Sequence, residues 1–195
     1  RQSNSIQKLS MPETGLVYHP DYLKHDSGPG HPESPDRLRA IMEELEVSGL
    51  LARLMTIQPW AASTHWIERI HSPQYIDHVR QMCREGHRYL DSLDTGICPD
   101  SYDVALLAVG GALAASDMVM EGRIKRAFCA LRPPGHHAER DRAMGFCLFN
   151  NIAIAARYLQ QHHDIQKILI VDWDVHHGNG TQAAFYDDPT VFYFS

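Results

Sequence analysis

The sequence predicts an α/β fold with a mainly parallel sheet flanked by helices. Three observations carry that prediction. Short apolar runs recur at residues 127–131, 168–171 and 190–194; they are continuous rather than alternating, as in strands covered on both faces. Stretches of helical periodicity separate them, and alternation of the two kinds implies a parallel sheet. Clusters of charged and imidazole side chains follow two of the strands directly, and open parallel sheets gather their ligands at strand carboxyl ends.

Along the chain, residues 1–13 read as a polar tail and 15–19 as a short strand. Residues 19–35, rich in His, Pro, Gly and Asp, read as a loop. Ser34 then stands as a helix N-cap before Pro35 at the first helical position, with Gly49 near the end. A weak strand is expected at 54–57, a short helix at 64–70, and a helix at 73–84 that stops before Gly86. Residues 90–99 read as a loop and 101–120 as a long helix closed by Gly122. The most apolar part of that helix, 104–115, is too short to span a bilayer and contains Gly110 and Gly111. The 127–131 strand follows. Helix 150–161 carries Ile152, Ala155, Ala156 and Leu159 on one face. Strand 168–171, a short helix at 181–186 and strand 190–194 complete the chain. Because it reaches Ser195 at a strand end, residues 14–195 are expected to be the N-terminal portion of a single domain.

The 195 residues carry a formal net charge of −6, which leaves no electrostatic footprint for nucleic acid. Cys83, Cys98, Cys129 and Cys147 form no CxxC pair and are too few for a disulfide framework. The N-terminus lacks an apolar h-region. These features point to a reducing compartment, cytoplasmic or, in a eukaryote, nuclear, and not to secretion.

The chemistry is concentrated in Asp172-Trp173-Asp174-Val175-His176-His177-Gly178-Asn179-Gly180, after the 168–171 strand. Side chains on a strand alternate faces, so Asp172, Asp174 and His176 are expected to point the same way. A carboxylate and an imidazole so spaced can close on one borderline divalent metal. Arg132-Pro133-Pro134-Gly135-His136-His137 follows the 127–131 strand. If the two strands are neighbours, a tandem histidine pair faces a metal site, as a metal-dependent hydrolase requires.

With these motifs, and with His31-Pro32-Glu33-Ser34-Pro35, Arg37 and Gly145-Phe146-Cys147 in the same order, the chain resembles the histone deacetylase superfamily. That group includes acetylpolyamine amidohydrolases and acetoin-utilisation-type proteins. The resemblance implies a three-layer arginase/deacetylase-like fold and zinc-dependent hydrolysis of an acetylated amine. It makes Asp174 and His176 the first two zinc ligands and His137 the general base and acid, with His136 as its electrostatic neighbour. Asp172 would stand behind His136 and Asn179 behind His137; Asn at this position is similar to the class II and bacterial branches. Gly145 and Phe146 would form the rim of an acyl-lysine tunnel, and Asp94 would orient substrate. The resemblance also implies structural potassium, matched by the backbone carbonyls of Asp172, Asp174 and His176 and the hydroxyl of Ser195. The family's third zinc ligand and transition-state Tyr come after Ser195, so this chain alone is expected to bind zinc poorly. Its expected partners are an acetylated lysine peptide or protein, or an acetylpolyamine. A homo-oligomer or a missing C-terminal half is a further expected partner, with no direct nucleic acid and no membrane involved.

Two alternatives stand beside this reading. A ureohydrolase with two manganese ions shares the sheet architecture, but the order Asp-x-Asp-x-His disfavours it. A non-catalytic fragment would follow from the early stop. Elsewhere, Cys147 reads as a small core residue. His31, His71 and His87 read as loop or surface histidines, and His162-His163 as imidazoles suited to a helix C-terminus.

Overall fold

The structure is a computed structural model that describes residues 13–195, so the tail expected at 1–13 lies, apart from Glu13, outside the described residues. In chain order the elements are β1 (Thr14–Val17), a 3-10 turn at Pro20–Lys24, α1 (Pro35–Val47), a 3-10 turn at Leu51–Arg53 and β2 (Met55–Ile57). Then come α2 (Thr64–Ile67), α3 (Pro73–Arg84), β3 (Tyr89–Leu90), β4 (Ser92–Gly96) and α4 (Ser101–Met120). The chain continues through β5 (Arg126–Cys129), α5 (Asn151–His162), β6 (Ile168–Val171), α6 (Asn179–Phe185) and β7 (Val191–Phe194). The architecture is α/β, with parallel strands flanked by helices. β1 lies between β2 and β5 in one parallel ladder, and β6 pairs with β7 in another.

Helix starts follow the local chemistry. Ser72 accepts the Tyr75 amide ahead of Pro73, and Asn150 accepts the Ala153 amide, so both cap their helices through the side chain. Ser34 occupies the expected cap position of α1, but its hydroxyl makes no cap hydrogen bond. The helix Asn179–Phe185 begins two residues before the predicted start, placing Asn179 in its first turn.

α4 packs against β1, β2, β5 and α5. Its apolar residues are spent on those contacts: Val104 and Ala108 join Leu16 and Tyr22, while Ala114, Ala115 and Met118 join Val17 and Ile57. This burial accounts for a helix 20 residues long and apolar enough to cross a membrane.

The structure corrects three expectations about the fold. The 168–171 and 127–131 strands are not hydrogen-bonded neighbours: β5 pairs with β1 and β6 with β7. An apolar groove of about 450 Å³, lined by Ala127, Cys129, Ile168 and Ile170 over α4 and α5, separates them. In this chain Leu169, Val171, Phe192 and Phe194 of the last two strands are exposed. Residues 90–99 are not a loop; β3 and β4 form an antiparallel hairpin with Asp91 at φ 58° in the turn. His71 is not a surface histidine. It is fully buried, with Nδ1 2.8 Å from the Glu139 carbonyl and Nε2 accepting the Asn150 amide at 2.9 Å. Burial pushes its pKa down to about 4, so it sits as a neutral ring that donates from Nδ1.

Candidate active site

The loop bearing the first histidine pair is anchored at its first residue. Arg132, completely buried, donates through Nε at 2.6 Å and Nη2 at 2.9 Å to the two oxygens of Glu33, and through Nη1 at 2.8 Å to the Tyr22 carbonyl. Burial alone would raise the Glu33 pKa; the hydrogen bonds and charges of His25 and Arg132 outweigh it and hold the carboxyl well below the usual range. The pair of oxygens therefore stays ionised, and the start of the 132–137 segment is tied to the 31–35 segment.

His136 and His137 lie side by side, their ring centroids 4.1 Å apart. Nδ1 of His136 is 2.9 Å from Oδ2 of Asp172, which also accepts the Tyr193 hydroxyl at 2.8 Å. Burial works to raise the Asp172 pKa, but the hydrogen bonds from His136 and Tyr193 lower it on balance. Nδ1 of His137 is 2.7 Å from Oδ1 of Asn179. The Asn179 amide nitrogen donates to Oε1 of Glu139 at 2.8 Å, which fixes the amide orientation and leaves its oxygen facing the ring. His137 must then donate from Nδ1, so that in the neutral ring the lone pair stands on Nε2.

The 172–176 segment reaches the same place by a route other than the one expected. β6 ends at Val171, and the chain beyond it is irregular. Two successive side-chain-to-backbone turns shape it. Oδ1 of Asp172 accepts the Asp174 amide at 3.2 Å, and Oδ1 of Asp174 accepts the His176 amide at 2.8 Å. That second bond is the main reason the Asp174 pKa is lowered. Oδ1 of Asp174 and Nδ1 of His176 end 3.1 Å apart. Donors on a tetrahedral zinc with bonds near 2 Å sit about 3.3 Å apart, so this carboxylate–imidazole pair fits one ion.

The two motifs meet. Nε2 of His136 is 3.9 Å from Oδ1 of Asp174, and the His137 and His176 rings lie 6.0 Å apart. A cavity of about 500 Å³ opens over them, lined by His136, His137, Asp174, His176 and Asn179 together with Asp94, Gly145 and Phe146. A hollow of similar size beside α6 and β7 has no histidine in its wall. Asp94 carries a lowered pKa, chiefly from the Ser92 hydroxyl. Gly145 and Phe146 both take positive φ, 56° and 71°. For Phe146 that backbone is costly, and it turns the ring into the cavity wall. At Gly145 a side chain would collide with the His137 ring. Ser195 follows β7 and, by register, lies beside Asp172, whose amide donates to the Phe194 carbonyl at 2.8 Å.

Sequence reasoning missed several participants. Tyr193 holds Asp172 from β7, and Glu139 holds Asn179. Gly178 leaves room where a Cβ would run into Tyr193 and Asp172. His31 lies in a loop, as expected, and there packs edge-on against Phe146 at 4.6 Å, 3.0 Å from the Asp94 carbonyl. The glycine next to the metal motif was a visible hint for Gly178; the others depend on tertiary contacts. Cys147 is fully buried, with its thiol pushed up to about 12 by burial, as a core residue should be.

Comparison with known proteins defines the class of this α/β protein. Residues 31–195 match the family model described as the histone deacetylase domain. The chain is 39% identical over 194 residues to Histone deacetylase 5 of Arabidopsis thaliana, covering 94% of this chain and 29% of that protein. It is 42% identical over 191 residues to Polyamine deacetylase HDAC10 of Rattus norvegicus, covering 93% and 32%. The crystal structure of the HDA15 HD domain superposes with a TM-score of 0.88 at 37% identity, over 93% of this chain and 52% of that one. The chain thus belongs to the histone deacetylase family, and it spans about a third of the length of these two curated relatives.

Proposed function

We propose that this chain supplies the histidine pair and two metal ligands of a zinc-dependent deacetylase that hydrolyses an acetylated amine. The observation that carries this is the 500 Å³ cavity, whose floor sets an Asp–His metal pair beside two imidazoles, each with Nδ1 held by its own acceptor. Asp174 and His176 would hold the zinc. When bound, it supplies Lewis-acid polarisation of the acetyl carbonyl and lowers the pKa of a coordinated water towards about 7. His137, with Nε2 bare, takes a proton from water and returns it to the departing amine, giving acetate and the free amine. His136, backed by the Asp172 carboxylate, stabilises positive charge on the pair. Phe146 and Gly145 flank the entry and suit an unbranched alkyl arm, and Asp94 at the mouth suits a polar or cationic group beyond it. Acetyl-lysine in a protein and an acetylpolyamine both fit this description. A structural potassium between the 172–176 backbone and Ser195 belongs to the same reading.

The test is release of acetate from acetyl-lysine peptides and from acetylpolyamines by zinc-loaded protein carrying this chain. Turnover of either is expected, lost with His137→Ala. Undiminished turnover by that variant would remove the proposal. Metal analysis separates it from the ureohydrolase alternative, which requires two manganese ions per site.

A further inference from the structure

Three donors outside this cavity converge where α4 and α5 end. Oδ1 of Asp117 lies 2.8 Å from Nε2 of His163, and the nearest donor atoms of Asp117, His162 and His163 all fall within 4.8 Å of one another. We propose that this trio is a second metal site, taking a borderline divalent transition ion such as zinc, distinct from the Asp174–His176 pair.

The trio is held in place before any ion arrives. The Tyr158 hydroxyl donates to Oδ1 of Asp117 at 2.7 Å and fixes the carboxylate. The His162 ring stacks on Tyr158 at 4.8 Å with a 22° tilt, and meets the edge of Trp66 at 6.2 Å. The His163 ring stands across it at 4.9 Å and 87°. A hydrogen bond tying α4 to α5 needs only one imidazole. The second ring, packed on two aromatics and facing the same carboxylate, makes a three-donor set of the N and O types that zinc, nickel and copper select. Asp117 and His163 are only 27% and 17% exposed, so their donors are partly shielded from competing water.

The electrostatics agree. Asp117 lies in the last turn of α4, and His162 and His163 end α5. Both helix C-termini therefore present partial negative charge to the trio, as does Glu121 at the α4 cap. Asp164, at φ 55°, turns the chain away just beyond. In a parallel sheet the connecting helices run back against the strands, so this point lies at the strands' amino ends. The proposed catalytic cavity lies at their carboxyl ends. An ion here would clamp α4 to α5, the two helices beneath the apolar groove, and would act on stability rather than on the reaction.

The experiment uses protein carrying this chain with Asp174→Asn and His176→Ala, which removes the other metal pair, and titrates it with zinc chloride at neutral pH. Calorimetry is expected to find one further zinc bound tighter than about 100 μM, with a rise in melting temperature and shifted ring resonances for His162 and His163. Adding His162→Ala, a change to an exposed ring, is expected to weaken that binding by about tenfold or more. Asp117→Asn should do the same. No zinc bound in the first protein overturns the site; so does binding left intact by both His162→Ala and Asp117→Asn.

Discussion

His136-His137 and His162-His163 are the same dipeptide in two settings, and what stands behind each ring separates them. After β5, each imidazole has its own acceptor, Asp172 for one and Asn179 for the other, and both rings face an open cavity. At the end of α5, one carboxylate serves the site, and the rings pack across each other against Tyr158. The first arrangement engages both Nδ1 atoms beside the cavity, each with its own acceptor. The second draws its donors inward towards a single point. Tandem histidines alone say nothing about catalysis; the number and kind of their partners do.

That contrast can be broken most directly at the rings. His137→Ala is expected to lower turnover about 10²–10⁴-fold in zinc-loaded protein, as loss of a general base does, while His162→Ala leaves turnover unchanged; steady-state kinetics on an acetyl-lysine peptide reads both. Comparable losses in the two variants would erase the distinction.

The support of the first pair can be broken at Glu33. Glu33→Ala leaves Arg132 charged, buried and without its bidentate partner, and should cost about 3–5 kcal/mol in urea unfolding.

The shell behind the first pair can also be probed with acid. His71 binds the Glu139 backbone, and Glu139 holds Asn179. The His71 pKa is depressed to about 4, below the ordinary histidine value near 6.5. The unfolded chain therefore takes up the proton first as pH falls. The stability due to the neutral ring is full above about pH 6.5 and drains away towards pH 4, on the order of 3 kcal/mol in all. His71→Gln should flatten that part of the stability-versus-pH curve; an unchanged slope would contradict the buried neutral ring.

The smallest effect sharpens the comparison further. Asp172→Asn keeps the shape but weakens the orientation of His136, and should reduce turnover about 10–100-fold, as removal of an outer support does. Asp117→Asn should leave turnover alone and shift zinc-free stability by only about 1 kcal/mol.

Much of this was legible in the sequence because it is local. Ser72-Pro73 and Asn150 announce helices through their own side chains, and the 168–171 run is a strand by composition alone. The tandem histidines His136-His137 and the Asp174–His176 pair were visible because such groups are rarely placed together after core strands. What escaped depends on contacts between distant parts. The β3–β4 hairpin is short, polar and irregular in register, so no alternation marks it. Asp172, Asp174 and His176 were expected to align by strand pleating, but carboxylate-capped turns orient them instead. Asp117 meets His163 across 46 positions of chain, and nothing near either residue signals the other.

Gly145 sets a limit on how this pocket can change. The residue has no room for a side chain because the His137 ring occupies that space, and the next residue, Phe146, forms the cavity wall. The rim of the cavity and the proposed proton-handling ring are thus mechanically joined through one bare position. A lineage seeking a wider or differently shaped entrance would have to remodel some other stretch of the rim, since any side chain placed here displaces the His137 ring.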